Sequence, residues 1–212
     1  MVNFNSEIWN LACTGMITDE CDELGIEYVC LTGYKTNSSN PSFFGFVRTV
    51  DLEEGDYADE NINLGLGFLN SLGNQDVLFV KGSDSFAYFG ELMTRFSTKK
   101  QINGVVIHGA TRDNNYTSGK PLQILYRSKT PVDIKGRGRV ESVDKSLLVD
   151  GNTVESGNFI FADSDGVVII DSNQLKIVEK AVWLTVEKEK KIIEAIDSNV
   201  PIQEIIDNFK SF

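Results

Sequence analysis

The chain has 212 residues, of which 41% are hydrophobic and 24% charged, with 31 acidic against 20 basic residues and a net charge of −11. That is ordinary for a soluble globular protein with a sizeable core, and the acidity opposes nucleic acid and anionic membrane as partners. The three cysteines, Cys13, Cys21 and Cys30, are odd in number and have no CxxC spacing, which argues against a disulfide framework and predicts a reducing, cytoplasmic setting.

In chain order, MVNFNSEIWN lacks a basic start and an apolar run, so no secretory leader is expected. No stretch approaches the roughly 18 apolar residues of a membrane span. The segment SEIWNLACTGMITDECDELGI reads as two short helices, the second capped by Thr18 or Asp19 and stopped by Gly25. A polar loop at Thr36 to Ser42 precedes a strand from Phe43 to Leu52, and EEGDYADEN is an acidic loop. NINLGLGFLNSLG is an apolar helix rich in glycine, and Val77 to Val80 is a short buried strand. Phe89, Leu92, Met93 and Phe96 fall at i, i+3, i+4 and i+7, the spacing of one helix face, with Gly90 at its start.

The run Val105 to Ile107 reads as a buried strand broken by Gly109, and LQILYR as another strand. The stretch from Val132 to Ile170 is rich in short strands with glycine and charged turns. From Asn173 the chain is helical, with a mixed-charge face and a short helix after Pro201. Strands and helices interleave without a regular βαβ rhythm, so the composition predicts an α/β or α+β fold rather than a doubly wound sheet. Residues 1–172 are expected to form one domain, with 173–212 a helical C-terminal extension of it.

One histidine, His108, excludes multi-histidine zinc sites and reads as structural. The cysteines read as buried small hydrophobes. No dinucleotide fingerprint or phosphate loop is complete. What remains is acid and arginine chemistry: Glu91, Arg112 and Asp113. Asp113 offers a hard oxygen of the kind Mg2+ or Mn2+ takes, and Glu91 can ligate directly or hold a metal-bound water. Arg112 presents a planar fork matched to a carboxylate. If Gly90 begins a helix, the amides of Leu92, Met93 and Thr94 form an anion site. Together these suit a small 2-oxo acid, with a cation on its keto oxygen favouring the enolate left by retro-aldol cleavage or decarboxylation. The plainer alternative is a loop ion pair worth about 0–1 kcal/mol.

GFVRTV, GELMTRFSTKKQINGVVIHGATRD and VESGNFIFADSDGVVII make the chain, from Ile17 to Ile170, resemble the RraA-like family. That family contains the class II 4-hydroxy-4-methyl-2-oxoglutarate aldolases and the regulator of ribonuclease activity A. The aldolase signature is an acid, twenty intervening residues, then Arg-Asp; here Glu91 is followed by Leu92 to Thr111, then Arg112 and Asp113. The resemblance implies Asp113 as metal ligand, Glu91 near the metal through water, Arg112 on the substrate, and backbone amides after Glu91 on its carboxylate. It implies a swivelling β/β/α fold with a β-barrel-like core and flanking helices, and a homo-trimer or homo-hexamer with sites between subunits. It implies a divalent-metal-dependent lyase that releases pyruvate or decarboxylates an oxaloacetate-type acid.

The chain also departs from the pattern. Tyr116 stands where the aldolases usually carry another acid, and Ser156 and Asn158 replace the closing proline and aspartate. A glutamate borrowed from a neighbour's C-terminal helix could be Glu187 or Glu189. The alternative is a non-catalytic interaction protein like the ribonuclease regulator, which lacks the aspartate that is present here as Asp113. A methyltransferase, an old label of the family, has no glycine-rich nucleotide loop to support it.

Overall fold

The computed structural model describes residues 4–58 and 60–209. In chain order, α1 (Ser6–Trp9) and α2 (Thr14–Leu24) precede β1 (Tyr28–Leu31), β2 (Lys35–Thr36) and the long β3 (Ser42–Glu54). Helix α3 (Ile62–Ser71) leads to β4 (Asp76–Lys81) and β5 (Ala87–Phe89), and α4 (Glu91–Lys100) leads to β6 (Gly104–Thr111). A single turn, α5 (Asn114–Thr117), precedes β7 (Ile124–Lys129) and β8 (Gly138–Val143). The hairpin of β9 (Leu147–Val149) and β10 (Asn152–Val154) is followed by β11 (Phe159–Asp163), β12 (Val167–Ile170), α6 (Leu175–Asp197) and α7 (Ile202–Phe209).

Ten strands form one mixed sheet, ordered β1-β12-β11-β3-β4-β6-β7-β2, with β5 beside β6 and β8 beside β3. Strands β3, β4, β6 and β7 run parallel. Parallel neighbours need a crossover, and α3 and α4 supply two of them. The irregular rhythm read from the sequence therefore hides two consecutive βαβ units, β3–α3–β4 and β4–α4–β6. The fold is mixed α/β with flanking helices, as expected. Its core is not a closed barrel: among the described residues, β1 and β2 end the sheet without pairing to each other.

The central strands bury both faces, so they read as continuous apolar runs rather than alternating ones. Leu78, Val80, Val105, Ile107, Ile124 and Tyr126 face Phe68, Leu69 and Leu72 of α3. Val77, Phe79, Val106 and Leu125 face the opposite way, toward the hairpin residues Leu147, Val149 and Val154. That second core also takes Ile160, Ala162, Val167 and Ile169 from the antiparallel half of the sheet. The alternate residues of those strands, Phe159, Phe161, Val168 and Ile170, pack outward on Trp9, Ile17, Leu175, Val178 and Val182. The antiparallel half thus lies between the second core and a layer of α1, α2 and α6.

Helix α2 is closed by Gly25 in the left-handed region, as expected, but neither Thr18 nor Asp19 caps its start. The N-cap is Cys13, and the capping acceptor comes from far along the chain: Asp163 accepts from the Thr14 amide at 2.8 Å and its hydroxyl at 2.9 Å. The C-terminal helices fall where the sequence places them. Glu179 of α6 is buried and accepts from the Asn5 amide and the Trp9 indole while pairing with Lys176, which ties α1 to α6. Among the described residues, no helix is long and apolar enough to cross a membrane.

Candidate active site

The corner after β6 begins with an unexpected continuation. Gly109 does not end the strand. It makes a bulge, and Ala110 and Thr111 resume pairing with β7 beyond it. A side chain at Gly109 would place its Cβ 2.7 Å from the Ser83 backbone, so only glycine lets the two segments pass. The Thr111 hydroxyl and the Arg112 amide both donate to the Phe89 carbonyl, at 2.9 and 3.1 Å. This fixes the end of β6 against the end of β5, just before Gly90, the N-cap of α4.

Phe89 therefore belongs to strand β5 and not to the helix, and the four-residue apolar stripe is not the buried face of α4. Leu92 is 80% exposed and Phe96 36%, while Thr94 and Ser97 are the buried positions. The buried hydroxyl of Thr94 donates to the Gly90 carbonyl at 2.8 Å, which lets a polar residue face the interior.

Asp113 takes a left-handed backbone conformation, φ 59°, ψ 38°, at the start of the α5 turn. Its carboxylate is turned toward α4, where Oδ2 accepts from the Glu91 amide at 2.9 Å. Gly90 makes this approach possible: a Cβ there would lie 2.4 Å from Asp113 Oδ2 and 2.9 Å from Arg112 Cγ. Arg112 Nε lies 3.7 Å from Asp113 Oδ2, and its Nη1 lies 3.2 Å from Asp133 Oδ1. Arg112 and Asp113 border a cleft of about 320 Å³ with Lys129 and Thr130. Asp113 and Glu91 border an adjoining one of about 400 Å³ with Asn115 and Tyr116. Asn114 lines both, and its buried Oδ1 has no hydrogen-bond partner.

The structure thus brings Glu91, Arg112 and Asp113 to one corner. It alters the proposed set of amides. The Thr94 amide is not free, since it donates to the Gly90 carbonyl at 2.9 Å, and the Glu91 amide is taken by Asp113. Leu92 and Met93 are left as the first-turn amides without an acceptor among the described residues. Glu91 Oε1 is occupied by Arg95, at 2.7 and 2.8 Å, which leaves Oε2 open. Glu187 and Glu189 lie on α6 and border none of the clefts beside Asp113.

Among the described residues, no three acid, histidine or cysteine side chains cluster as a metal cage. One or two carboxylates with the remaining positions filled by water is, however, the ordinary donor set for Mg2+. Asp113 with Glu91 Oε2 meets that description, and the unpartnered Asn114 Oδ1 adds a further hard oxygen at the same corner. The residues fit a hydrated hard cation and not a soft one.

Sequence reasoning did not find Asp133, Lys129 or Arg95. Asp133 arrives on the segment between β7 and β8, and nothing in its neighbours marks it. Of the cysteines, only Cys21 is buried, its thiol pushed up to about 11 by desolvation with Asp22 and Glu20 adding to it; Cys13 and Cys30 are exposed. His108 points into a different network, with Tyr34 and Asp150. A cleft of about 930 Å³ lies elsewhere, between α2, β1 and the hairpin turn, and is lined by Asp22, Glu27 and Asp171 with no cation.

The RraA-like family profile, described as Aldolase/RraA, matches residues 14–169. A 4-hydroxy-4-methyl-2-oxoglutarate aldolase of Thermus thermophilus is 32% identical over 139 residues, 65% of this chain and 80% of that protein. The solved structure described as the RNA-processing inhibitor RraA from Thermus thermophilis is 31% identical, with a TM-score of 0.61 over 73% of this chain and 92% of that one. An uncharacterized Pseudomonas syringae protein shares the fold, with a TM-score of 0.81 at 21% identity over 97% of this chain and 99% of that one.

Proposed function

The chain belongs to the RraA-like family, and on that premise we propose that it is a carbon–carbon lyase acting on a small 2-oxo acid with release of pyruvate. The observation that carries the reading is the hydrogen bond from the Glu91 amide to Asp113 Oδ2 at 2.9 Å, in a space that Gly90 keeps open. It fixes Oδ2, which also lies nearest the Arg112 guanidinium, and leaves Oδ1 without a hydrogen-bond partner among the described residues, on a side chain that borders both clefts.

In this reading Asp113 would hold a Mg2+ or Mn2+ ion, with Glu91 Oε2 acting near it through water. The ion supplies Lewis-acid polarisation of the 2-oxo carbonyl when bound. Arg112 takes the substrate carboxylate in its planar fork, and the Leu92 and Met93 amides add neutral donors at a helix N-terminus. Asp133 holds Nη1 of Arg112 and so sets the angle of that fork. In retro-aldol cleavage the C3–C4 bond breaks, the 4-hydroxyl proton leaves, and a carbonyl forms at C4. The electron pair passes to the pyruvyl fragment, which then takes a proton at C3. In this reading the hydroxyl proton would go to Glu91, whose Oε2 the Arg95 pair leaves open, or to a group from a neighbouring subunit. From an oxaloacetate-type acid the same bond breaks and carbon dioxide leaves.

We carry a homo-trimer or homo-hexamer as part of the proposal, with Leu92 and Phe96 at the rim of the site as apolar surface for a neighbour to cover. Light scattering after gel filtration tests it: a mass of three or six chains is expected, and a monomer contradicts it. The function is tested by incubating the protein with oxaloacetate and with 4-hydroxylated 2-oxo acids, with Mg2+, Mn2+ or a chelator, against enzyme-free controls. Pyruvate formed faster with protein and metal together than with metal alone or with protein and chelator is the expected result. No pyruvate from any of these acids would overturn the lyase reading.

A further inference from the structure

Tyr116 is the shared wall of two clefts of opposite charge. On one side lies the cleft of Glu91 and Asp113, with two carboxylates and no cation. On the other is a cleft of about 300 Å³ lined by Arg95, Lys99 and Lys120 with no acid. A cleft of three cations runs against the average of a chain with net charge −11. Lys99 and Lys120 have no ion-pair partner among the described residues, and Arg95 shares its charge only with Glu91.

The cations are also held in place. The Arg95 guanidinium carbon lies 4.2 Å from the centre of the Tyr116 ring, and Lys120 Nζ lies 4.8 Å from it. Contact with an aromatic face limits the rotamers of both side chains, so less entropy is lost when they meet an anion. Arg95 lines the cationic cleft, stacked on Tyr116, and is joined to the other only through its ion pair with Glu91. A ligand spanning Tyr116 would meet carboxylates at one end, suited to a cation and its chelated oxygens, and positive charge at the other.

We propose that Arg95, Tyr116 and Lys120 determine specificity: they receive an anionic group at the end of the 2-oxo acid remote from its keto carbon. This rests on the 2-oxo acid reading above. The distal group is a carboxylate or a phosphate-like anion, since both offer the oxygens that these cations recognise. A substrate ending in a methyl group leaves the cationic cleft unpaired, so the site discriminates by what the distal end carries.

Binding tests this without turnover. Calorimetry with Mg2+ present compares 2-oxoglutarate with 2-oxopentanoate, in which a methyl replaces the distal carboxylate, and with the phosphonate analogue 2-oxo-4-phosphonobutanoate. Pyruvate is the reference ligand for the shared end. At least one dianion is expected to bind about ten-fold tighter than 2-oxopentanoate or better, and whichever dianion is stronger names the group. Lys120→Glu and Tyr116→Ala are each expected to cut that ratio to about three-fold or less; Lys120 is exposed, so its replacement leaves the fold intact. Equal affinity for the three longer acids while pyruvate binds would overturn this proposal and leave the 2-oxo acid reading standing. A dianion preference that survives both variants would overturn the assignment of these residues. Binding of none of the four ligands would overturn both.

Discussion

His108 and Asp113 are separated by only five positions, on and just beyond one strand, and they meet opposite surroundings. His108 is closed in. Its Nδ1 lies 2.9 Å from the Tyr34 hydroxyl and its Nε2 3.4 Å from Asp150. Asp150 in turn pairs with Arg127, whose guanidinium lies 4.7 Å over the Tyr34 ring. Asp150 sits at the tip of the β9–β10 hairpin, so this network pins the hairpin to the sheet. Asp113 is left open: one carboxylate oxygen is fixed by a backbone amide, and the rest of the group faces two clefts. Apart from Arg127 Nε, which is buried without a hydrogen-bond partner, the members of this network satisfy one another and stabilise the fold, while a charge positioned but not saturated is available to a ligand. The bulge at Gly109 separates the two, because it shifts the register between the histidine and the corner.

Substitutions in these two surroundings have different readouts. After Asp113 itself, the largest effect is expected from Arg112→Ala. Pyruvate release should fall by about 10²–10³-fold, as when one anion-stabilising donor is removed, with thermal stability little changed. Near-normal kcat/KM in that variant would remove Arg112 from the site. Next comes Gly90→Ala. Its Cβ would collide with Asp113 Oδ2, so the carboxylate must turn away, and we expect about 10–100-fold less activity in a folded protein. Retained activity would mean that the Glu91–Asp113 contact is dispensable.

At the closed end the effect moves to stability. His108→Ala should lower unfolding free energy by about 1–2 kcal/mol and leave pyruvate release intact. Denaturant titration and the activity assay together check this, and a lost activity with unchanged stability would reverse the contrast. Desolvation lowers the His108 pKa below its ordinary 6.5, with Arg127 adding to it against the opposing pull of Asp150. The unfolded chain then binds this proton first as pH falls. The contribution of His108 to stability is complete above about pH 6.5 and declines below it, and a plot of Tm against pH should lose that part of its slope in His108→Gln. The smallest change is expected from Leu92→Ser. At 80% exposure its loss should alter the stability of the isolated chain by no more than about 0.5 kcal/mol, whereas a true core stripe would lose several times as much.

The sequence revealed these two regions unequally. Apolar runs at Val77 to Val80 and Val105 to Ile107 announced buried strands, and Gly25 and Gly90 marked helix ends, because those signals are local. The spacing from Glu91 to Arg112 carried the candidate site, since β6 must cross back beside the start of α4 after its helix. Three kinds of information were not local. The stripe of Phe89, Leu92, Met93 and Phe96 had helical spacing, but β5 claimed Phe89 by pairing with β6, and the helix turned Thr94 and Ser97 inward. The cap of α2 came from Asp163, about 150 positions away. Asp133 reached the site through tertiary packing, and no pattern in its own neighbourhood distinguishes it from a surface charge, whereas Arg95 was legible as the i+4 partner of Glu91 on α4 and was passed over.

The claim at the centre is that the open carboxylate of Asp113 is the functional one. Asp113→Asn keeps the shape and an acceptor for the Glu91 amide while removing the charge. Pyruvate formation from the 2-oxo acid panel in Mg2+, measured beside the unaltered protein and an enzyme-free control, should fall to the control level while the melting temperature holds. Undiminished, metal-stimulated pyruvate release by Asp113→Asn would contradict the account.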